Sequence, residues 1–125
     1  MSFKPRVLIV DDELLLRRLF ERILRAPTEP LSAPDAETGL LLLEQQPFDV
    51  VISDCAMTGM DGVTFLGEVA RRWPATRRIL LSGSLPEDAD DLVARGICHA
   101  YGAKPLGAKA VVSLVMGAAT VGTAA

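Results

Sequence analysis

The chain predicts a doubly wound parallel α/β sheet made of five strand–helix units, and three observations carry that expectation. Strand-like and helix-like patterns alternate along all 125 residues with no linker, repeat or low-complexity insert. The runs VLIV and VVIS are short, apolar and β-branched, as strands covered on both faces must be. Three aspartates follow such runs: Asp11 and Asp12 after the first strand, Asp54 after the third. Charged residues seldom follow buried strands for the sake of stability, and open α/β sheets bind ligands at their strands' carboxyl ends.

Arg6–Val10 is the first strand. The helix Leu14–Arg25 follows, with Leu15, Leu16, Leu19, Phe20, Ile23 and Leu24 spaced for one buried face. Glu29–Ala33 reads as the second strand, crowded by Pro27, Pro30 and Pro34. Proline donates nothing to a ladder, so this strand belongs at a sheet edge or is irregular. Asp35 caps a helix running to about Gln45. Val50–Ser53 is the third strand, and Val63–Trp73 a helix stopped by Pro74. Arg78–Ser82 is the fourth strand, Glu87–Arg95 a helix closed by Gly96, Ala100–Ala103 a short fifth strand and Gly107–Ala119 the last helix. Right-handed crossovers then place helices on both faces. A single domain spanning residues 1–125, with an approximate core from 5 to 120, is expected.

Composition narrows the function classes. A formal charge of -3 argues against direct nucleic-acid binding. Cys55 and Cys98 have no metal-ligand or redox spacing, which fits a reduced, cytoplasmic protein. The first strand starts within a few residues of Met1 without a signal-peptide layout. The segment from Ala110 to Ala125 lacks charge but carries Ser113, Gly117, Thr120, Gly122 and Thr123. It is shorter than the roughly 20 apolar residues of a spanning helix, so no membrane span is expected. His99 and Trp73 read as packing residues.

The strand ends carry the chemistry. Three gathered carboxylates repel one another unless a cation joins them, and a hard divalent ion such as Mg²⁺ takes oxygen ligands of this kind. Ser82 ends the fourth strand in ILLSG, and Lys104 follows the fifth in YGAKP. With the sheet order 2-1-3-4-5, all these groups share one pocket. A carboxylate there can attack a phosphoryl group and form an acyl phosphate. A metal, a lysine and a hydroxyl would hold the phosphoryl oxygens.

The motifs VLIVDDE, ISDCAMTGMDG, LLSGS and AYGAKP, in this order, resemble the receiver domain of two-component response regulators, the CheY-like superfamily with a flavodoxin-like fold. The resemblance covers nearly the whole chain. It implies that Asp54 is the phosphoacceptor, supplied by a phosphohistidine on a sensor histidine kinase or histidine phosphotransfer protein. It implies Mg²⁺ or Mn²⁺ on Asp12, Asp54 and the backbone carbonyl of Ala56, with Asp11 acting through a bound water. Ser82 and Lys104 match the switch hydroxyl and the phosphate-binding lysine. Tyr101 matches the aromatic whose rotamer follows phosphorylation, and Gly62 the turn into the third helix. Ala56 and Ser84 are small at positions that flank the attacking water, which implies fast hydrolysis. The sequence departs from the family at Thr58, where proline is common, and at Gly102, where a bulky aliphatic is common and whose absence implies a looser fifth strand.

Two other readings stand beside a non-enzymatic phosphorylation switch. One is a phosphorylation-independent binding module. The other is a haloacid-dehalogenase-type phosphatase, but neither aspartate motif supplies that family's DxD acid/base. Val111, Val112, Leu114, Val115 and Met116 span many directions of the last helix, which predicts an outward apolar surface and a possible homodimer through it.

Overall fold

The computed structural model describes residues 4–117. Five strands, β1 (Arg6–Val10), β2 (Glu29–Ala33), β3 (Val50–Asp54), β4 (Arg77–Ser82) and β5 (Ala100–Ala103), alternate with five helices. These are α1 (Leu14–Leu24), α2 (Ala36–Gln45), α3 (Gly62–Arg72), α4 (Ala89–Ala94) and α5 (Ala108–Val115). The strands form one parallel sheet in the order β2-β1-β3-β4-β5, as the sequence predicts.

Alternation along each strand sorts the core onto two faces. Leu8, Val10, Val51 and Leu80 pack with Leu43 of α2, Phe65, Leu66 and Val69 of α3, and Leu92 of α4. Val7, Ile9, Val50, Ile52, Ile79 and Leu81 pack with Phe20 and Leu24 of α1 and Val111, Leu114 and Val115 of α5. Strand β2 lies at the sheet edge. The amide of Glu29 donates inward to the Pro5 carbonyl at 2.9 Å, so Pro30, the next residue, turns its nitrogen to the free side. Asp35 caps α2 by accepting from the Thr38 amide at 2.8 Å.

Three expectations need correction. In α1, Phe20 and Leu24 are buried, but Leu15 is 78% and Leu19 46% exposed. The apolar residues form two neighbouring stripes, and the sheet covers the one through Phe20 and Leu24. In α5, Val111, Leu114 and Val115 are core residues, which leaves half-buried Val112 and exposed Met116 as outward apolar surface. The helix ends at Val115 because Gly117 adopts φ +77 and its amide returns to the Leu114 carbonyl. Ala118 and Ala119, expected in this helix, lie outside the described residues. Helix α4 is shorter than expected, starting at Ala89. Gly96 closes it at φ +78, with its amide on Val93 and that of Ile97 on Leu92. Beside Gly102, the missing side chain's space is taken up by Leu106, Leu81 and Leu114, and β5 keeps its pairing with β4 from Ala100 to Ala103.

Candidate functional site

The order β2-β1-β3 makes the gap between β1 and β3 the place where chain direction switches, and the acidic residues stand there. Asp11 directly follows β1 and is 2% exposed. Its Oδ1 accepts from the Glu13 amide at 2.9 Å, and its Oδ2 from Lys104 Nζ at 2.9 Å. Asp54 ends β3 with its side chain 11% exposed, and its Oδ1 lies 3.3 Å from the same ammonium. Asp12 is exposed at the mouth of the pocket. Each of these three carboxylates offers an oxygen within 4.8 Å of the other two.

Asp12 and Asp54 line a cavity of about 650 Å³, walled also by Ala56, Ser82, Ser84 and Lys104, with Asp11 buried behind the lysine. Ser82 is buried at the end of β4, where its hydroxyl donates to the Ser84 carbonyl and accepts from the Ser84 amide, both at 3.2 Å. Lys104 is held beside it by its own amide, which donates to the Ser82 carbonyl at 2.8 Å. The structure thus brings together every residue the sequence placed in the pocket. Tyr101 stands apart: its ring is buried in the core and its hydroxyl donates to Asp90 Oδ1 at 2.5 Å.

Gly62 sets the position of Asp54. A Cβ there would sit 1.9 Å from the Asp54 carbonyl oxygen, so only glycine lets the start of α3 pass this close. The Gly62 amide uses that approach to donate to the Cys55 carbonyl at 2.8 Å, and Asp61 caps the helix through the Thr64 amide.

The charges do not balance. One lysine faces three carboxylates. Burial raises the Asp54 pKa, Lys104 offsets part of that, and Asp11 adds to it. Burial opposes the charge on Lys104, yet Asp11 and Asp54 together outweigh it and raise its pKa. Hard oxygen donors with excess negative charge suit a divalent cation such as Mg²⁺, so the residues present fit that ion.

Two contacts were not legible in the sequence. The Thr58 amide and hydroxyl reach Asp12 Oδ2 at 3.3 and 3.4 Å, tying the loop after β3 to the loop after β1. Nothing local in the sequence marks this pair, whose members lie 46 residues apart. Asp90 gave no local signal, because its partner is 11 residues away on another element.

A doubly wound domain with an acidic pocket at its switch point is the class this architecture defines. The chain belongs to the response regulator receiver domain family, which matches residues 7–115. Receiver domains act in two-component phosphorelay signalling. It is 39% identical over 88 residues to the hydrogenase transcriptional regulatory protein HoxA of Cupriavidus necator, covering 70% of this chain and 18% of HoxA. It is 33% identical over 111 residues to the response regulator protein FleR of Pseudomonas aeruginosa, covering 88% of this chain and 24% of FleR. The chain therefore spans about a quarter or less of these relatives. The signal receiver domain of an HD domain-containing protein from Pseudomonas fluorescens superposes with a TM-score of 0.85 at 28% identity, over 93% of this chain and 94% of that one. No helix among the described residues is long and apolar enough to cross a membrane.

Proposed function

We propose that this chain, as one receiver unit over residues 1–125, takes a phosphoryl group from a phosphohistidine onto Asp54 and signals by the change that follows. The observation that carries this reading is the Asp54 carboxylate 3.3 Å from Lys104 and clustered with the carboxylates of Asp11 and Asp12. An Asp54 oxygen attacks phosphorus, the phosphorus–nitrogen bond to the donor imidazole breaks, and an acyl phosphate forms. Lys104 pairs with a phosphoryl oxygen, and the Ser82 hydroxyl leaves Ser84 to bind another. Mg²⁺ or Mn²⁺ held by Asp12, Asp54, the Ala56 carbonyl and, through water, Asp11 would neutralise charge on the phosphoryl group.

The donor is a sensor histidine kinase or histidine phosphotransfer protein, and the unit works in the cytoplasm without catalysing turnover of other substrates. Exposed Leu15 and Leu19 on α1, with Leu16, Pro105 and Leu106 bordering the pocket through a second cavity, supply an apolar surface for that donor. The output face comprises α4, β5 and α5, where Tyr101 and Lys104 link pocket to surface; a homodimer through α5 would rest on Val112 and Met116. Ala56 and Ser84 leave the pocket wall open to water, so Ala56→Arg should lengthen the life of the acyl phosphate.

Intact-protein mass spectrometry after Mg²⁺ and acetyl phosphate tests the central claim. One added phosphoryl group, absent in Asp54→Asn and without Mg²⁺, is expected. An unlabelled wild-type chain would point to a phosphorylation-independent binding module. Steady turnover of unrelated phosphomonoesters would point to a phosphatase.

A further inference from the structure

We propose that Thr58 is a positioning residue for the cation site, its amide and hydroxyl together holding the Asp12 carboxylate inside the acidic cluster. The proposal deepens the receiver reading of the pocket given above and rests on it. The three carboxylates are fixed in different ways. Asp11 is buried, with one oxygen on the Glu13 amide and the other on Lys104 Nζ, and Arg17 Nη1 donates to its carbonyl at 2.7 Å. Asp54 shares the same ammonium at 3.3 Å. Asp12 is exposed and makes no ion pair among the described residues. Its Oδ2 accepts instead from the Thr58 amide at 3.3 Å and the Thr58 hydroxyl at 3.4 Å.

Both contacts are long, so each is weak, but they converge on one oxygen and oppose a definite force. Asp12 offers an oxygen within 4.8 Å of oxygens on Asp11 and Asp54. Like charges this close push the most exposed of the three toward water. An untied Asp12 would relieve that repulsion by turning outward, and a binding cation would then have to remove the freedom gained. The loop that carries Thr58 is built to resist. The Gly62 amide closes its base by donating to the Cys55 carbonyl at 2.8 Å, and Asp61 anchors it by capping α3. Gly59, with φ +81, turns the chain directly after Thr58. A proline in place of Thr58 would have neither amide hydrogen nor hydroxyl to offer.

Titration with Mn²⁺, followed by the electron paramagnetic resonance of the free ion, reads the affinity of the site without any phosphorylation. Thr58→Val, which removes only the hydroxyl, should weaken Mn²⁺ binding roughly threefold, and Thr58→Pro, which removes both donors, roughly tenfold. Thr58→Ser keeps both donors and should stay within about twofold of wild type, a rescue that loop stiffness alone would not produce. Thr58 is exposed, so the valine and serine variants leave the core intact and should fold. Urea denaturation of the metal-free protein supplies a second reading. Thr58→Val should lower the midpoint of the wild-type chain and leave that of Asp12→Ala unchanged, because the tie is already gone there. Wild-type Mn²⁺ affinity in both Thr58→Val and Thr58→Pro overturns the proposal, as does a serine variant as weak as the valine one. An equal midpoint drop with and without the Asp12 carboxylate overturns it too. A wild-type protein that binds no Mn²⁺ overturns the receiver reading of the pocket instead, while the metal-free comparison still decides whether Thr58 holds Asp12.

Discussion

The two ends of the sheet both bury charge, and they do so in opposite ways. At the carboxyl ends of the strands, Asp11, Asp12 and Asp54 face one lysine, leaving negative charge without a partner among the described residues. At the amino ends, Arg78 of β4 is 5% exposed, and its guanidinium donates to the carbonyls of Pro74, Thr76, Gly96 and Ile97 at 2.9 to 3.1 Å. The Arg78 amide completes the arrangement by donating to His99 Nδ1 at 3.0 Å. This cation meets carbonyl dipoles rather than a carboxylate, and it clamps the loop before β4 to the end of α4. A buried charge with its hydrogen bonds filled holds structure together; a cluster left electrically incomplete is built to receive something.

The sharpest way to break that comparison is to neutralise Asp54. Asp54→Asn should abolish phosphoryl labelling altogether, as seen by intact-protein mass spectrometry. Retained labelling would mean that the unbalanced end is not the reactive one. Next in size, Arg78→Met should lower stability by about 3 kcal/mol, because it strands carbonyls that have lost their donor. Urea denaturation measures this, and labelling of the fraction that stays folded should be unchanged. Smaller, and opposite in sign, is the stability change in Asp54→Asn, where relief of crowded charge should raise stability by about 1 kcal/mol without Mg²⁺. A loss of stability there would contradict the account of the pocket.

The smallest effect is a pH signature that differs between the ends. Burial raises the Asp54 pKa above 3.8. Its ionised form therefore costs stability once pH has risen through that raised value, and the cost disappears on acidification. At the other end, burial and then the charges of Arg78 and Arg77 lower the His99 pKa below 6.5. The unfolded chain takes up a proton there before the folded chain does, so stability is full above 6.5 and declines as pH falls below it. Without metal, the urea midpoint of wild type should drop between pH 7.5 and 5.5, by about 1 kcal/mol or less in stability. His99→Asn should flatten that slope, and an equal slope in both proteins would remove His99 as its source.

The sequence disclosed the carboxyl end far better than the amino end, for physical reasons. Parallel strands are continuous apolar runs, so the aspartates following VLIV and VVIS were conspicuous; alternation of elements implied a parallel sheet, and the order β2-β1-β3-β4-β5 brings them to Lys104. Arg78 looked like an ordinary strand residue, because its four acceptors come from backbone that only the tertiary fold assembles. Helix α1 offered two apolar stripes of similar strength, and packing against the sheet, not spacing, decided that Leu15 would stay exposed. In α5 the five apolar residues spanned too many directions for spacing to sort them, and the fold takes Val111, Leu114 and Val115 into the core and leaves Val112 and Met116 outward. Contacts between separate loops, such as Thr58 with Asp12, leave no periodic trace at all.

Pro30 has a consequence for how copies of this protein coexist. Its nitrogen points to the open side of β2, where another chain would look for amide donors with which to lengthen the sheet. Having no hydrogen to give, it interrupts that row near the start of the strand, and Glu29 sets an exposed charge beside it. Strand-to-strand aggregation is thus discouraged at this border. A domain that carries exposed leucines on α1 keeps its most adhesive backbone blunted on the neighbouring strand.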